Sequence, residues 1–72
     1  MSKRTTFIIV DAKKWDFFTA GGGWSSEYPN ARLFSNLQDA KRTRDKIVQL
    51  TDIYDCEAYE QGQSPIVSAD NN

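Results

Sequence analysis

The stretch Thr5-Thr6-Phe7-Ile8-Ile9-Val10 decides the fold of this 72-residue chain. Its β-branched and aromatic residues are typical of a β-strand. Successive side chains of a strand point to opposite faces of the sheet, so Phe7 and Ile9 face one side while Ile8 and Val10 face the other. The chain is therefore predicted to form a sheet that has apolar side chains on both faces.

A second strand is predicted directly after the first. Residues 11–14 have turn character, and the aromatic run at 15–19 predicts a strand that forms a hairpin with the first. Three consecutive glycines at 21–23 end this strand, because glycine is costly within a pleated ladder. A loop follows to Asn30, and residues 31–34 predict a short third strand.

One helix and a last strand complete the pattern. Ser35 is a suitable N-cap, and Gln38 three residues later completes a capping box. The helix is predicted to run to about residue 50 because its apolar residues share one arc: Leu37, Ala40, Ile47, Val48 and Leu50. A last strand is predicted over residues 53–60, where Tyr54, Cys56 and Ala58 alternate with polar side chains.

These elements predict an α+β domain over residues 1–61, in the order β-β-(β)-α-β. A three- to four-stranded antiparallel sheet would carry one helix on one face, and the polar residues 62–72 are predicted to form a disordered tail. One helix covers only one face of a sheet. We therefore expect either that the glycine-rich loop folds under the other face or that a second molecule covers it.

Composition argues against catalysis. The chain has no histidine and a single cysteine, Cys56, so it cannot form a Ser-His-Asp triad, a zinc finger or an internal disulfide. We expect no enzyme activity, no metal and no cofactor. A lone cysteine and the lack of a long apolar run predict a cytoplasmic protein that does not enter a membrane.

Four aromatic residues are candidates for binding a partner: Trp15, Phe17, Trp24 and Tyr28. Trp and Tyr are common anchors of protein interfaces, and two of them lie in the polar loop that follows the glycines. The alternative for Trp24 is that it folds back to close a small core. Gly21, Gly22 and Gly23 could form a ligand loop, but no helix starts there, so a flexible hairpin end is favoured.

Arg44 falls inside the apolar arc of the predicted helix. We expect its methylene groups to lie on the sheet and its guanidinium to form a partial ion pair with Asp55 or Glu57. Basic residues along this helix, together with Trp15 and Phe17, could also bind single-stranded nucleic acid. A pI near 5.2 counts against that interpretation.

Part of the chain resembles a family of small bacteriophage and prophage accessory proteins. The matching residues are Gly23-Trp24-Ser25-Ser26, then Ala-Arg-Leu-Phe-Ser at 31–35, then Asp39-Ala40. The resemblance implies a phage origin and a protein that binds and blocks a host macromolecule, such as a defence or transcription protein. It assigns no functional residue.

Three hypotheses of function follow from the sequence. The first is a non-enzymatic binding protein that associates with a host protein or with itself as a homodimer, through the uncovered sheet face and the loop of Trp24 and Tyr28. The alternatives are a protein that sequesters a small ligand or nucleotide in its glycine-rich loop, and a single-stranded nucleic-acid-binding protein.

Overall fold

A computed structural model describes residues 6–69. It contains a four-stranded antiparallel sheet of order β3-β2-β1-β4 and one main helix, which confirms the predicted α+β class. The elements in chain order are β1 (Phe7–Asp11), β2 (Phe17–Phe18), β3 (Trp24–Ser25), a 3-10 helix (Tyr28–Asn30), α1 (Leu37–Asp45), β4 (Thr51–Asp55) and α2 (Cys56–Glu60).

Strand β1 lies at the centre of the sheet, as its composition predicts. It pairs with β4 along its whole length, from Phe7 opposite Asp55 to Asp11 opposite Thr51. Its pairing with β2 is limited to Val10 opposite Phe17. Alternation along β1 divides the buried residues into two cores, one on each face of the sheet.

Both faces are covered within one chain. Helix α1 places Ala40 on the first core, which also contains Ile9, Phe34 and Ile53. The second core lies under α2 and the 3-10 helix and consists of Ile8, Val10, Phe17, Ala31, Tyr54 and Cys56. Of the two expected covers for the second face, the structure shows the one within the chain: Tyr28 of the loop that follows the glycines packs on this core, and α2 adds Tyr59.

The last predicted strand is wrong in its second half. Strand β4 ends at Asp55, and the chain turns into α2 because the Asp55 carboxylate caps that helix. Its Oδ1 atom accepts hydrogen bonds from the main-chain amides of Glu57 at 2.8 Å and Ala58 at 3.4 Å. Such a cap satisfies amides that the first turn of a helix leaves free, so it favours helix over continued strand.

Helix α1 also differs from its predicted bounds. Its N-cap is Asn36 rather than Ser35, and the Asn36 side chain accepts a hydrogen bond of 2.9 Å from the Asp39 amide. The helix ends at Asp45 instead of continuing to residue 50, and its last turn tightens where the Lys46 amide bonds to the Thr43 carbonyl. Within residues 6–69, neither helix combines the length and apolarity needed to span a bilayer.

The short strands lie elsewhere than predicted. Strand β2 is confined to Phe17–Phe18, and β3 forms from residues predicted to be loop. The predicted third strand at 31–34 makes isolated bridges instead, from Ala31 to Thr19 and from Phe34 to Phe7. It therefore fills the gap where β1 and β2 diverge.

The segment after α2 contacts β4. The Ile53 amide donates to the Val67 carbonyl at 2.8 Å, and the Ile66 amide donates to the Ile53 carbonyl at 2.8 Å. The tail that was predicted to be disordered from residue 62 is therefore held against the sheet at Ile66 and Val67. These two residues are apolar and can pair at a sheet edge. The last three residues of that predicted tail lie outside the described residues.

Candidate protein-binding surface

The two aromatic residues of the predicted binding loop lie on opposite faces of the sheet. Trp24 packs edge-to-face on Phe18, with ring centroids 5.5 Å apart, beside the core under α1. Tyr28 packs against Phe17 and stacks on Tyr59, with centroids 5.6 and 5.1 Å away, beside the other core. Trp24 and Tyr28 therefore do not form one continuous surface.

Tyr28 connects the 3-10 helix to α2. Its hydroxyl donates a hydrogen bond of 2.9 Å to Oε2 of Glu60. Burial of the phenol, followed by that hydrogen bond, raises the pKa of Tyr28 well above its usual value. Tyr28 therefore stays neutral at physiological pH and closes the second core, and its ring is only partly accessible to a partner.

Trp15 and Phe17 differ sharply in accessibility. Phe17 is 3% exposed and cannot contact a partner without unfolding, whereas Trp15 is 55% exposed. The Trp15 ring leans on Tyr54 with centroids 6.1 Å apart. Of the four predicted partner-binding residues, Trp15 alone presents most of its side chain to solvent.

Asp11 organises the loop that carries Trp15. Its Oδ1 atom accepts hydrogen bonds from the amides of Lys13 at 2.8 Å and Lys14 at 3.0 Å. The Lys14 hydrogen bond is the main reason that the pKa of Asp11 is lowered, against the opposing effect of burial. The carboxylate is therefore charged, and it fixes the path of the loop.

A second loop lies beside the first and presents two aliphatic side chains to solvent. Val48 is 98% exposed and Leu50 is 55% exposed. The Leu50 carbonyl accepts a hydrogen bond of 3.0 Å from the Ala12 amide, which joins the two loops. Sequence reasoning missed both residues because it placed them on the buried arc of a longer helix.

These two loops form one surface at the end of the sheet where β1 ends and β4 begins. We call it the Val48 surface and define it by Lys13, Lys14, Lys46, Val48 and Leu50. Val48 borders three concavities, of about 250, 360 and 340 Å³. Each of the three also has at least one basic residue in its lining: Lys13 and Lys14, Arg44, and Lys46, respectively.

Arg44 does not make the predicted ion pair. Its Nε atom donates to the Thr51 carbonyl at 3.1 Å, and its terminal nitrogen Nη2 lies 3.5 Å from the Ser68 carbonyl. Asp55 lies at the opposite end of β4 from Thr51 and caps α2. The predicted pairing with Asp55 or Glu57 is wrong because the end of α1 lies beside the start of β4.

The triple glycine forms a tight hairpin between β2 and β3. Gly22 has a positive φ of 88°, which glycine adopts without steric cost. The Gly22 amide donates to the Thr19 carbonyl at 3.0 Å, and the Gly23 amide donates to the Thr19 hydroxyl at 3.2 Å. Two of the three amides that a ligand loop would offer are therefore used within the turn.

The cysteine lies beside another concavity. Cys56 is a buried free thiol, and it lines a space of about 280 Å³ together with Tyr28, Leu33 and Glu60. Among residues 6–69, no three His, Cys, Asp or Glu side chains are grouped so that they could hold a metal ion. Within the described residues, this concavity therefore offers the Cys56 thiol and the Glu60 carboxylate, and that carboxylate already accepts a hydrogen bond from Tyr28.

Val48 and Leu50, both exposed, line the same two concavities. Comparison with protein-family models, with curated proteins and with solved structures found no significant match to this chain.

Proposed function

We propose that this chain is a non-enzymatic protein-binding module that docks the Val48 surface onto another protein. The observation that carries the proposal is the exposure of Val48, at 98%, beside Leu50, at 55%, in one loop. The same chain buries Ile8, Ile9 and Val10 completely. Apolar side chains grouped at one end of an otherwise well-packed domain are typical of an interaction site.

The two loops are held in place before a partner arrives. The Asp11 carboxylate fixes one loop, and the bond from the Ala12 amide to the Leu50 carbonyl fixes the other against it. Binding by such loops loses little conformational entropy, so more of the contact energy remains as affinity. This supports a surface that binds as a rigid unit.

We further propose that the partner is a host protein which this module blocks, in the cytoplasm. The mode of action is the one that the resemblance to phage accessory proteins implies. The buried free thiol of Cys56 suits a reducing compartment. Three of the described carboxylates serve the fold, since Asp11 holds a loop, Asp55 caps α2 and Glu60 bonds Tyr28.

The proposal is tested with Val48→Asp and a matched control, Leu33→Asp. Leu33 is also exposed, at 60%, but lies beside Cys56 and away from the Val48 surface. We expect wild-type and Leu33→Asp baits to capture the same host protein and Val48→Asp to lose it. The purified partner should then bind Val48→Asp at least tenfold more weakly in calorimetry.

Two outcomes overturn the proposal. One is a purified partner that binds the Val48→Asp variant as tightly as the wild type while both variants keep wild-type circular dichroism. The other is a wild-type homodimer in sedimentation velocity that Val48→Asp dissociates, because the surface would then be occupied by a second copy of this chain instead of a host protein.

A further inference from the structure

We propose that the segment bound by the Val48 surface is acidic, with an apolar side chain between its carboxylates. This inference rests on the proposed function and specifies the chemistry of the partner. It follows from what lies on each side of Val48, which projects between concavities of different character.

The concavity on one side is suited to an apolar side chain. It has a volume of about 340 Å³, and its lining includes the rings of Phe18 and Trp24 and the side chain of Ile47. Trp24 and Ile47 are only partly buried, so the lining is accessible from outside. Lys46, which is exposed, stands at the same concavity and offers a cation next to the apolar lining.

The concavity on the other side of Val48 is basic. Lys13 and Lys14 line it, and both are exposed. The one acid in its lining, Asp11, is 5% exposed, and its Oδ1 atom already accepts two main-chain hydrogen bonds. Both lysines also help to keep the pKa of that carboxyl low, and two ammonium groups against one buried carboxylate leave the concavity with a net positive charge that favours an incoming carboxylate.

The third concavity adds less net charge. Arg44 lines it, but so does the exposed Asp45. Its guanidinium is also oriented inward by the Thr51 carbonyl. We therefore assign the recognition of carboxylates to the three lysines and give Arg44 no role in it.

A protein segment suits this surface better than a nucleic acid does. Phe17, one of the two aromatic residues of the nucleic-acid hypothesis, is buried, and the formal net charge of the chain is −1, whereas nucleic-acid-binding domains are usually basic. An acidic-apolar segment satisfies both parts of the surface, since its side chain enters the concavity of Trp24 and its carboxylates meet lysines on either side of Val48. Lysines placed around an apolar centre also speed association with an acidic partner.

A displayed library of random peptides tests the inference even while the host partner is unidentified. The wild-type chain serves as bait, and binders to Val48→Asp are removed. We expect the retained peptides to be enriched in Asp and Glu on both sides of Leu, Ile or Phe. In NMR titrations a selected peptide should shift the Trp24 indole signal.

The role of the lysines is tested with two peptides. One is the selected peptide, and the other is the same peptide with every Glu replaced by Gln and every Asp by Asn. The double variant Lys13→Gln/Lys14→Gln and the single variant Lys46→Gln should each weaken binding about three- to tenfold. Lys41→Gln, an exposed lysine in the middle of α1, should bind as the wild type does. Binding should weaken as salt is raised, because exposed charges are screened.

The failures of the two proposals are distinguishable. Peptides that depend on Val48 but lack acidic residues, or that bind equally well after amide replacement, overturn the acidic inference and leave the docking surface in place. Oligothymidine that competes for the surface more tightly than the peptides also overturns it. A library that retains no peptide once binders to Val48→Asp are removed, together with a host partner that binds Val48→Asp as tightly as the wild type, overturns the proposed function itself.

Discussion

The amide of Trp15 donates a hydrogen bond of 2.9 Å to the main-chain carbonyl of Asp11, and this bond closes the loop between β1 and β2. The Asp11 amide returns a bond of 2.7 Å to the Asp16 carbonyl, while the Asp11 side chain holds Lys13 and Lys14. Asp11 thus fixes the conformation of the loop through hydrogen bonds of both its main chain and its carboxylate. The Val48 surface depends on that loop for Lys13 and Lys14.

Replacement of Asp11 tests this dependence. Asp11→Ala removes the acceptor of two main-chain amides, and we expect the free energy of unfolding to fall by about 1–3 kcal/mol at neutral pH. The folded-state pKa of Asp11 lies below the usual 3.8, so its contribution is present above that pH and lost as pH falls through the lowered value. Urea unfolding at neutral pH and at about pH 3 should show the difference from wild type narrowing in acid.

Asp11→Asn is the matched control, because its amide oxygen still accepts hydrogen bonds but carries no charge. It should lie between wild type and Asp11→Ala in stability near neutral pH. A difference between wild type and Asp11→Ala that stays constant down to acid pH would contradict the role of the charged carboxylate.

The backbone of Trp15 gives a second prediction. Its φ of 61° lies in the left-handed region, which disfavours every residue with a Cβ atom. Trp15→Gly and Trp15→Ala both remove the ring contact with Tyr54, so they differ chiefly in this conformational cost. We expect the glycine variant to be about 1 kcal/mol more stable than the alanine variant in chemical denaturation. Equal stabilities would show that the loop relaxes to another conformation.

The cap of α2 gives a third prediction. Asp55→Ala removes the acceptor for the amides of Glu57 and Ala58, and it should lower the free energy of unfolding by about 1 kcal/mol. Because α2 covers the second core, amide hydrogen exchange over Cys56–Glu60 should also rise. Asp55→Asn keeps a capping oxygen and should retain most of the protection of these amides against exchange. Similar exchange rates in Asp55→Ala and Asp55→Asn would contradict the role of the cap.

The contact between Tyr28 and Glu60 gives a fourth prediction. Tyr28→Phe keeps the stacked ring but removes the donor, so we expect a loss of about 0.5–1.5 kcal/mol in unfolding free energy. The raised pKa of Tyr28 means that its contribution is intact below the usual value of 10.0 and declines as pH rises above it. Phenolate absorbance should show a tyrosine that ionises only above its usual range and that disappears in Tyr28→Phe.

Tyr54 provides the reference for that titration. Burial also raises its pKa above the usual value, so a second late-ionising tyrosine should remain in the variant. Titration of every tyrosine of the wild type at its ordinary value would contradict the packing of both rings.

The central strand could be predicted from sequence because its signal is local and strong. The apolar run that contains Ile8, Ile9 and Val10 is typical of a strand, and its alternation correctly predicted apolar side chains on both faces of the sheet. The cover of the second face could not be deduced in the same way. The cover of the second face depends on the residue at which β4 ends. The alternation of apolar and polar residues over 53–60 hides that end.

The error at α2 shows why a five-residue helix is hard to recognise. Tyr54, Cys56 and Ala58 satisfy the period of a strand, and one turn of helix is too short to show its own period. The overlooked signal is Asp55, whose carboxylate can serve as an N-cap directly after a strand. Tertiary contacts further favour the helix over a continued strand, because Tyr59 packs on Phe17 and Tyr54.

The Val48 surface was missed for a different reason. Ile47, Val48 and Leu50 continue the apolar arc of α1 on a helical wheel, so their pattern predicts burial. The helix ends three residues before Val48, and only Ile47 then reaches the core. Two β-branched residues after the last turn are the signal that could have predicted this end.

The pairing of Ile66 and Val67 with Ile53 has a consequence for solubility. Unprotected outer strands of a sheet invite strands from other molecules, which leads to fibrillar aggregates. Here the β4 margin is occupied by the chain's own last described segment, and the opposite margin, β3, is only two residues long. A molecule built this way offers foreign strands little free backbone to pair with, even though Val48 and Leu50 are exposed at one end of the sheet.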